Sequence, residues 1–307
     1  MTRQPWIGRL LPWRKKIDPT FKTLDLELTV GSLPLASIGR FSTRSPMTKA
    51  GRLSLRARTT DGRSVKIVEY KSPEHAALVA DLSAGNLEML FPAVLERQGS
   101  LLVTEWVEAA AIPVSVTPDR IGQLLAQLHR EQFPTTGNAR DADSREFSYW
   151  DDMIWPRALR AARALDVEDC FLREILPAAE LLEAAPESVV HPDLTMGNVI
   201  VDAQGNERVI DNELLGRGDT AIFDLMNACW AARPHGAQLY RAYLEAGGSQ
   251  VPSASTGSLA ALWLARAVGS AFVTGRLGTA RGLIEDFRLG RLRDPVSDGR
   301  GAGRRQF

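Results

Sequence analysis

Thiols are scarce in this chain. Its 307 residues include 2 cysteines, Cys170 and Cys229, and neither sits in a CxxC pair. That argues against a disulfide framework or a structural zinc site and makes a reducing cytosol the expected compartment. Net charge is missing as well: Lys+Arg and Asp+Glu both number 37. The balance disfavours a globally basic nucleic-acid binder and leaves room only for local patches. No apolar run reaches the roughly 20 residues of a membrane span. Residues 1–17 contain Arg3, Arg9, Arg14, Lys15 and Lys16 and no acid. They lack the apolar stretch and small-residue cleavage site of a secretory signal. Trp6, Ile7, Leu10, Leu11 and Trp13 beside those bases can rest on an anionic membrane surface. The plainer reading is an arm that is disordered or packs on its own domain, because Pro5 and Pro12 limit a continuous helix.

What is present is enough for a real core: 44% of residues are hydrophobic and 24% charged. The length suits one large domain or two small ones. From about Leu33 to Val107 the pattern is strand-rich. Leu53, Leu55 and Ala57 alternate with Ser54, Arg56 and Arg58, Asp61-Gly62 supplies a turn, and Val65, Ile67 and Tyr70 follow. Ser72-Pro73-Glu74 opens a helical stretch that ends near Gly85. Phe91–Val94 and Leu101–Thr104 read as further strands. After about Ala110, apolar residues recur at helical spacing, as in Ile121, Leu124, Leu125 and Leu128. Strand character returns at Val199–Val201 and Arg208–Ile210, around a turn at Ala203–Asn206. Helical character resumes over residues 221–246 and 259–289. The expected fold is α+β: a basic arm over 1–30, a small β-rich lobe over 31–109, a larger helical lobe over 110–293, and a flexible tail over 294–307. Chains of this kind often bind a ligand between their lobes.

The densest chemical signal is His191-Pro192-Asp193-Leu194-Thr195-Met196-Gly197-Asn198-Val199-Ile200-Val201, followed by Val209-Ile210-Asp211-Asn212-Glu213. Asp193 and Asn198 lie on a short loop leading into a strand, and Asp211 ends the next strand after a tight turn. A hairpin of this kind brings Asn198 and Asp211 towards one point. A carboxylate, an amide oxygen and phosphate oxygens make a hard-oxygen shell suited to Mg²⁺. Asp193 is then left nearby to accept a proton from an attacking hydroxyl. Singly, each residue also reads as a turn or cap residue. The joint pattern HxDxxxxN, apolar strand, IDxE is far harder to obtain by chance.

The segment resembles the catalytic loop of the aminoglycoside phosphotransferase and choline kinase family, relatives of protein kinases. That family shows HxDLxxxNxLxx, then IDxE, a Gly-Asp pair and an Asp-Leu pair. This chain has HPDLTMGNVIV, IDNE, Gly218-Asp219 and Asp224-Leu225. The resemblance implies a bilobal protein-kinase-like fold and a cytoplasmic ATP- and Mg²⁺-dependent kinase. It makes Asp193 the catalytic base, Asn198 and Asp211 metal ligands, and His191 and Asp224 scaffold for the loop. The likeness extends with falling specificity from about Leu33 to Leu289 and is strong between His191 and Leu225.

Such a kinase needs a strand lysine for the nucleotide phosphates and an acid to orient it. Lys66, in Ser64-Val65-Lys66-Ile67-Val68, stands on the best strand after the Asp-Gly turn. Glu74 opens the next helix and is the first choice for the acid, with Asp81 and Glu88 as alternatives. Leu101–Val107 resembles the strand and hinge that present backbone groups to adenine, with Glu105, Trp106 and Val107 as candidates. No GxGxxG precedes Lys66. The equivalent loop is Gly39–Ser45, where Ser42 and neighbouring amides can cover phosphate. Pro192 replaces a common Gly, Asn212 replaces a frequent Trp, and the gap from Asp219 to Asp224 is one residue longer than usual. These departures imply a divergent member whose acceptor need not be an aminoglycoside.

The resemblance implies that the acceptor is a small molecule bearing a hydroxyl. Candidates for its pocket are Trp150, Asp151, Asp152, Trp155, Glu213, Trp230, Trp263 and Arg266, although most of the tryptophans suit a core. Asp151, Asp152 and Glu213 suit a cationic acceptor. Arg281, Arg288, Arg291 and Arg293 suit an anionic one, a membrane surface or a solvated helix face. The balance tilts towards a sugar, amino sugar or glycolipid head group, with peripheral contact to the inner face of a membrane through residues 1–17. Two other classes compete. A pseudokinase-type binding module would usually have lost one of Lys66, Asp193, Asn198 and Asp211. A protein kinase would carry a long activation loop after Asp211. Length and motif fit a monomer or a dimer.

Overall fold

The computed structural model describes residues 22–39, 54–85, 87–111, 115–131, 149–183, 188–218, 221–250 and 256–292. The chain divides into two compact units, residues 1–108 and 109–307. The first holds a β-sheet and the second is mainly helical, an α+β, kinase-like division into lobes.

In the first unit, six strands form one antiparallel sheet in the order β1-β2-β3-β4-β6-β5. They are β1 (Lys22–Val30), β2 (Leu33–Gly39), β3 (Ser54–Thr59), β4 (Ser64–Glu69), β5 (Val94–Gln98) and β6 (Leu101–Glu105), with helix α1 (Pro73–Ala84) after β4. The alternation in β3 sends Leu55 and Ala57 into a core with Val65, Ile67, Leu101 and Val103. The β3–β4 hairpin turns at Gly62, whose φ of 86° is one that glycine adopts without strain. Its register sets Arg56 opposite Lys66, and β6 sets Thr104 on the other side of Lys66. Lys66 therefore lies on an interior strand, half-buried. Helix α1 starts as its punctuation predicts: Ser72 Oγ accepts from the His75 amide at 3.2 Å and Pro73 occupies the first turn.

The sheet starts earlier than expected. Residues 22–30, assigned above to the basic arm, form β1 and pair with β2 from Lys22↔Ile38 to Val30↔Leu33. Leu24, Leu26, Leu28 and Val30 alternate with Thr23, Asp25, Glu27 and Thr29, a period-two pattern that suits a strand. Residues 1–17 and the tail over 294–307 lie outside the described residues.

The second unit contains α2 (Pro118–Arg130), a π turn (Trp150–Ile154) running into α3 (Trp155–Ala164), α4 (Glu168–Glu183), α5 (Ala221–Ala231), α6 (Gly236–Glu245), α7 (Thr256–Val273) and α8 (Leu277–Arg288). Two small two-stranded sheets interrupt the helices. They pair β7 (Ser188–Val190) with β10 (Gly216–Gly218), and β8 (Val199–Val201) with β9 (Glu207–Val209). The helical stretch over 259–289 is broken at Gly275, φ 73°, where the Arg276 amide returns to Ala271 O at 2.8 Å and closes α7. The core gathers Phe171, Ile175, Phe223, Leu262 and Val268. Phe223 is fully buried, with the Tyr149 ring edge-on at 5.5 Å and Trp150 at 6.2 Å. Among the described residues no helix is long and apolar enough to cross a membrane.

Two helix pairs approach closely because a glycine stands at the contact. A Cβ on Gly122 of α2 would meet the backbone of α6, including Tyr243 N at 2.9 Å. A Cβ on Gly269 of α7 would meet Arg157 Cβ at 3.0 Å and Ala158 N at 3.1 Å on α3. By contrast, Gly282 on α8 has nothing within 4 Å of its Cβ position. Gly122→Ala is expected to cost about 1–3 kcal/mol through overpacking, whereas Gly282→Ala should gain about 0.5–1 kcal/mol from helix propensity. Urea unfolding of both variants measures the contrast. Equal effects would remove the close-approach explanation.

Candidate active site

The loop after β7 is shaped by its own short bonds. The Leu194 amide returns to His191 O at 2.9 Å, and the Asn198 amide to Thr195 O at 2.9 Å. Asn198 then holds the loop from inside. Its Nδ2 donates to Asp193 O at 2.7 Å and lies 3.4 Å from Asp193 Oδ2. That orientation spends the amide N–H on the loop and turns Oδ1 away from Asp193. The β8–β9 hairpin supplies the next group. Val199 pairs with Val209, and the Ile210 amide donates to Asn198 O at 2.9 Å. Asp211 follows immediately, so Asn198 and Asp211 stand at the same end of the hairpin. The hairpin's far turn is fixed by Asp202 Oδ1, which accepts from the Asn206 amide at 2.8 Å and the Gln204 amide at 3.0 Å.

Asp211 adopts φ 60° and ψ 45°, the left-handed region, which a non-glycine residue rarely takes. Strain of this kind persists where the surroundings over-determine a side chain's aim, and it gathers at functional sites. Asp211 is exposed, whereas Asp193 and Asn198 are half-buried.

The loop is anchored from beneath by Asp224 on α5. This carboxylate is buried, and its Oδ2 accepts from the His191 amide at 2.6 Å. His129 Nε2 lies 3.4 Å from the same oxygen, while His129 Nδ1 lies 3.0 Å from the Tyr243 hydroxyl. Tyr243 in turn accepts from the Ser249 amide at 3.2 Å. With Nδ1 accepting from the Tyr243 hydroxyl, Nε2 is the nitrogen left to donate to Asp224. Burial pushes the Asp224 carboxyl above the ordinary range, with His129 and the His191 amide pulling the other way. Burial likewise raises the Tyr243 hydroxyl to about 12.

Three contacts around the loop join residues far apart in sequence. Asn227 Nδ2 donates to Pro192 O at 2.9 Å. Asn212 Oδ1 lies 3.2 Å from His191 Nε2, which gives the departure at position 212 a role in steadying a buried imidazole. Arg266 Nη2 donates to Asp193 Oδ1 at 2.9 Å. Sequence reading missed the roles of Asn212 and Asn227. Asn227 stands one helical turn after Asp224, and that spacing was the available signal.

The remaining candidates lie in the first unit. Lys66 is flanked by Arg56 and Thr104. Glu74 is exposed in the first turn of α1, where a hydrogen bond to the Ser72 hydroxyl holds its carboxyl below the usual range. Glu105 uses its amide on Ala93 O at 2.9 Å and its Oε1 on the Ala93 amide at 3.1 Å. Trp106 uses its amide on Ser64 O at 3.1 Å. The Val107 amide makes no backbone bond among the described residues. Arg56 lies over the Trp106 ring at 4.3 Å and pairs with Glu108 at 2.8 Å. Ser42 and Asp219 lie outside the described residues.

Among the described residues no group of three or more His, Cys, Asp and Glu side chains gathers as a metal cage. The donor set at the hairpin end, one amide oxygen and one carboxylate, fits the hard cation Mg²⁺, which commonly takes one or two protein oxygens and completes its shell with phosphate and water.

Comparison with known proteins gives the family. The model of the phosphotransferase enzyme family (APH) matches residues 85–262, more than half of the chain and all of the Asp193–Asp224 region. A spectinomycin phosphotransferase crystallised with ADP and spectinomycin is similar over 85% of this chain and 94% of its own, at 13% identity and a TM-score of 0.51. An ethanolamine kinase from Plasmodium vivax is similar over 80% of this chain and 81% of its own, at 12% identity and a TM-score of 0.52. These two likenesses show the fold. No curated protein sequence matches the chain. With its family model matched across the loop, the hairpin and the buried anchor, the chain belongs to the phosphotransferase enzyme family of small-molecule kinases.

Proposed function

We propose that the protein transfers the γ-phosphoryl group of ATP, with Mg²⁺, to a hydroxyl of a sugar, amino sugar or glycolipid head group. The observation that carries this reading is the gathering of Asp193, Asn198 and Asp211 around one hairpin end, with Asp211 held in a left-handed conformation. Asn198 Oδ1 and the Asp211 carboxylate would hold Mg²⁺, which supplies charge neutralisation on the phosphate oxygens. Asp193 orients the acceptor hydroxyl and takes its proton as the oxygen attacks the γ-phosphorus and the ADP oxygen leaves. Lys66 is assigned to the nucleotide phosphates, with Glu74 as its acidic partner and Ser42 on the phosphate-covering loop. The main chain of Glu105 and Val107 is assigned to the base. The committed amide of Glu105 leaves its role to the carbonyl, and the Val107 amide suits the complementary donor.

His191 and Asp224 act through the loop. Asp224 ties the His191 backbone to the first turn of α5, where the helix dipole favours a carboxylate. Its removal would leave the His191 amide and His129 without their buried acceptor. Among acceptor classes, a cationic one would want exposed carboxylates; Glu213 is buried and Asp152 half-buried, and Asp151 is exposed.

ADP release measured with ATP and Mg²⁺ against aminoglycosides, amino alcohols, sugars and envelope glycolipids tests the reading. Acceptor-dependent turnover is expected, with Asp193→Ala lowering it by about 10²–10⁴-fold. Undiminished turnover in Asp193→Ala would remove the base assignment. Nucleotide binding without turnover on any acceptor would favour a binding module. Asp224→Ala is expected to lose about 1–3 kcal/mol of stability because it leaves the His191 amide and His129 buried without their acceptor. Urea unfolding at neutral pH checks this, and an unchanged midpoint would show that Asp224 is not the anchor.

A further inference from the structure

Arg266 pairs with the group assigned to proton removal. Its Nη2 is 2.9 Å from Asp193 Oδ1, and the two side chains are 28% and 35% exposed, so neither is sealed in the core. The other carboxylate oxygen faces Asn198 Nδ2 at 3.4 Å. Arg266 Nε is buried with no hydrogen-bond partner, so the guanidinium is held by packing as well as by Asp193.

The surrounding helix faces continue the theme. Trp263, one turn before Arg266 on α7, stacks on Trp230 of α5 with centroids 4.1 Å apart and planes 12° apart. Arg233 lies over the Trp230 ring at 3.7 Å. Asn227, one turn before Trp230, is the residue that grips Pro192 O, next to Asp193. The faces of α5 and α7 that reach the Asp193 loop thus carry two indoles and the Arg266 guanidinium, with Arg233 just beyond the end of α5. An aromatic site for an ammonium group needs an open π face, and here a guanidinium already covers one face of Trp230. An ammonium group brought to Asp193 would meet a carboxylate whose charge Arg266 has neutralised, and would be repelled by Arg266 itself.

We propose that Arg266 is the specificity-determining residue of the acceptor site, pairing with Asp193 so that the site takes a neutral or anionic polyol rather than an ammonium-bearing alcohol. This rests on the reading of Asp193 given above and narrows its acceptor class. The test is calorimetric binding, with Mg²⁺ and a non-hydrolysable ATP analogue present, of two matched sets: glucose, glucosamine and glucuronate, and galactose, galactosamine and galacturonate. In the unaltered protein the amino sugars should bind at least about tenfold more weakly than their neutral and acidic counterparts. Arg266→Lys should keep that gap and Arg266→Met should close it. Circular dichroism checks each variant's fold, and Arg266→Gln replaces the Met variant if that one fails to fold. Amino sugars bound as tightly as neutral ones, a gap that survives in Arg266→Met, or no sugar bound while the ATP analogue binds would each overturn the assignment. If the ATP analogue itself does not bind the unaltered protein, the kinase reading falls instead, and this inference falls with it.

Discussion

The second unit is organised around one buried carboxylate. Asp224 is 1% exposed, and removing a charge from water is tolerable only when hydrogen bonds and dipoles replace the solvent. Three features do so. The first turn of α5 contributes its positive end, the His191 amide donates at 2.6 Å, and His129 approaches at 3.4 Å. Both hydrogen-bond contacts fall on Oδ2, while Oδ1 is buried with no hydrogen-bond partner, and together they tie α2, α5 and the end of β7. Tyr243 extends the tie to α6 through His129. A helix bundle that leaves this carboxylate unpartnered is penalised, and that penalty selects the arrangement in which the Asp193 loop is correctly placed.

The loop inherits its precision from that anchor. From His191 onward the backbone has few choices: Leu194 and Asn198 return to it, Asn227 grips Pro192, and Asn198 braces Asp193 from within. The β8–β9 hairpin then places Asp211 beside Asn198 by ladder register rather than by side-chain contact. Rigid support of this kind suits phosphoryl transfer, where positioning and electrostatics supply most of the catalysis. The left-handed backbone at Asp211 is the local cost, and the hairpin on one side and the short helical turn Asn212–Leu214 on the other hold it in place.

Much of this was legible in the sequence where the chemistry is local. The turn at Asp61-Gly62, the Ser72-Pro73 helix start and the order Asp193, Asn198, hairpin, Asp211 all follow from spacing, because neighbours in sequence are neighbours in these motifs. Less legible were the contacts made by packing. Arg266 reaches Asp193 from α7, His129 reaches Asp224 from α2, and Asn227 reaches Pro192 from α5. No periodicity reports such pairs, since each depends on how helices cross. The glycines at 122 and 269 are similar: a helical glycine looks like a weakness until the facing backbone is known. The first strand is a different case. Its alternation of leucines with polar residues was present, but the basic residues before it drew the arm's boundary too far along the chain.

The most direct test of the hairpin end as the seat of a phosphotransferase is a calorimetric titration of ATP, with and without Mg²⁺, into the unaltered protein and into Asp211→Asn. Expected is binding that Mg²⁺ tightens about tenfold or more in the unaltered protein, with that increment lost in Asp211→Asn while the fold is kept. ATP binding indifferent to Mg²⁺, or an increment that survives the substitution, would contradict the assignment of Asp211 and Asn198 and the placement of the chemistry at this loop.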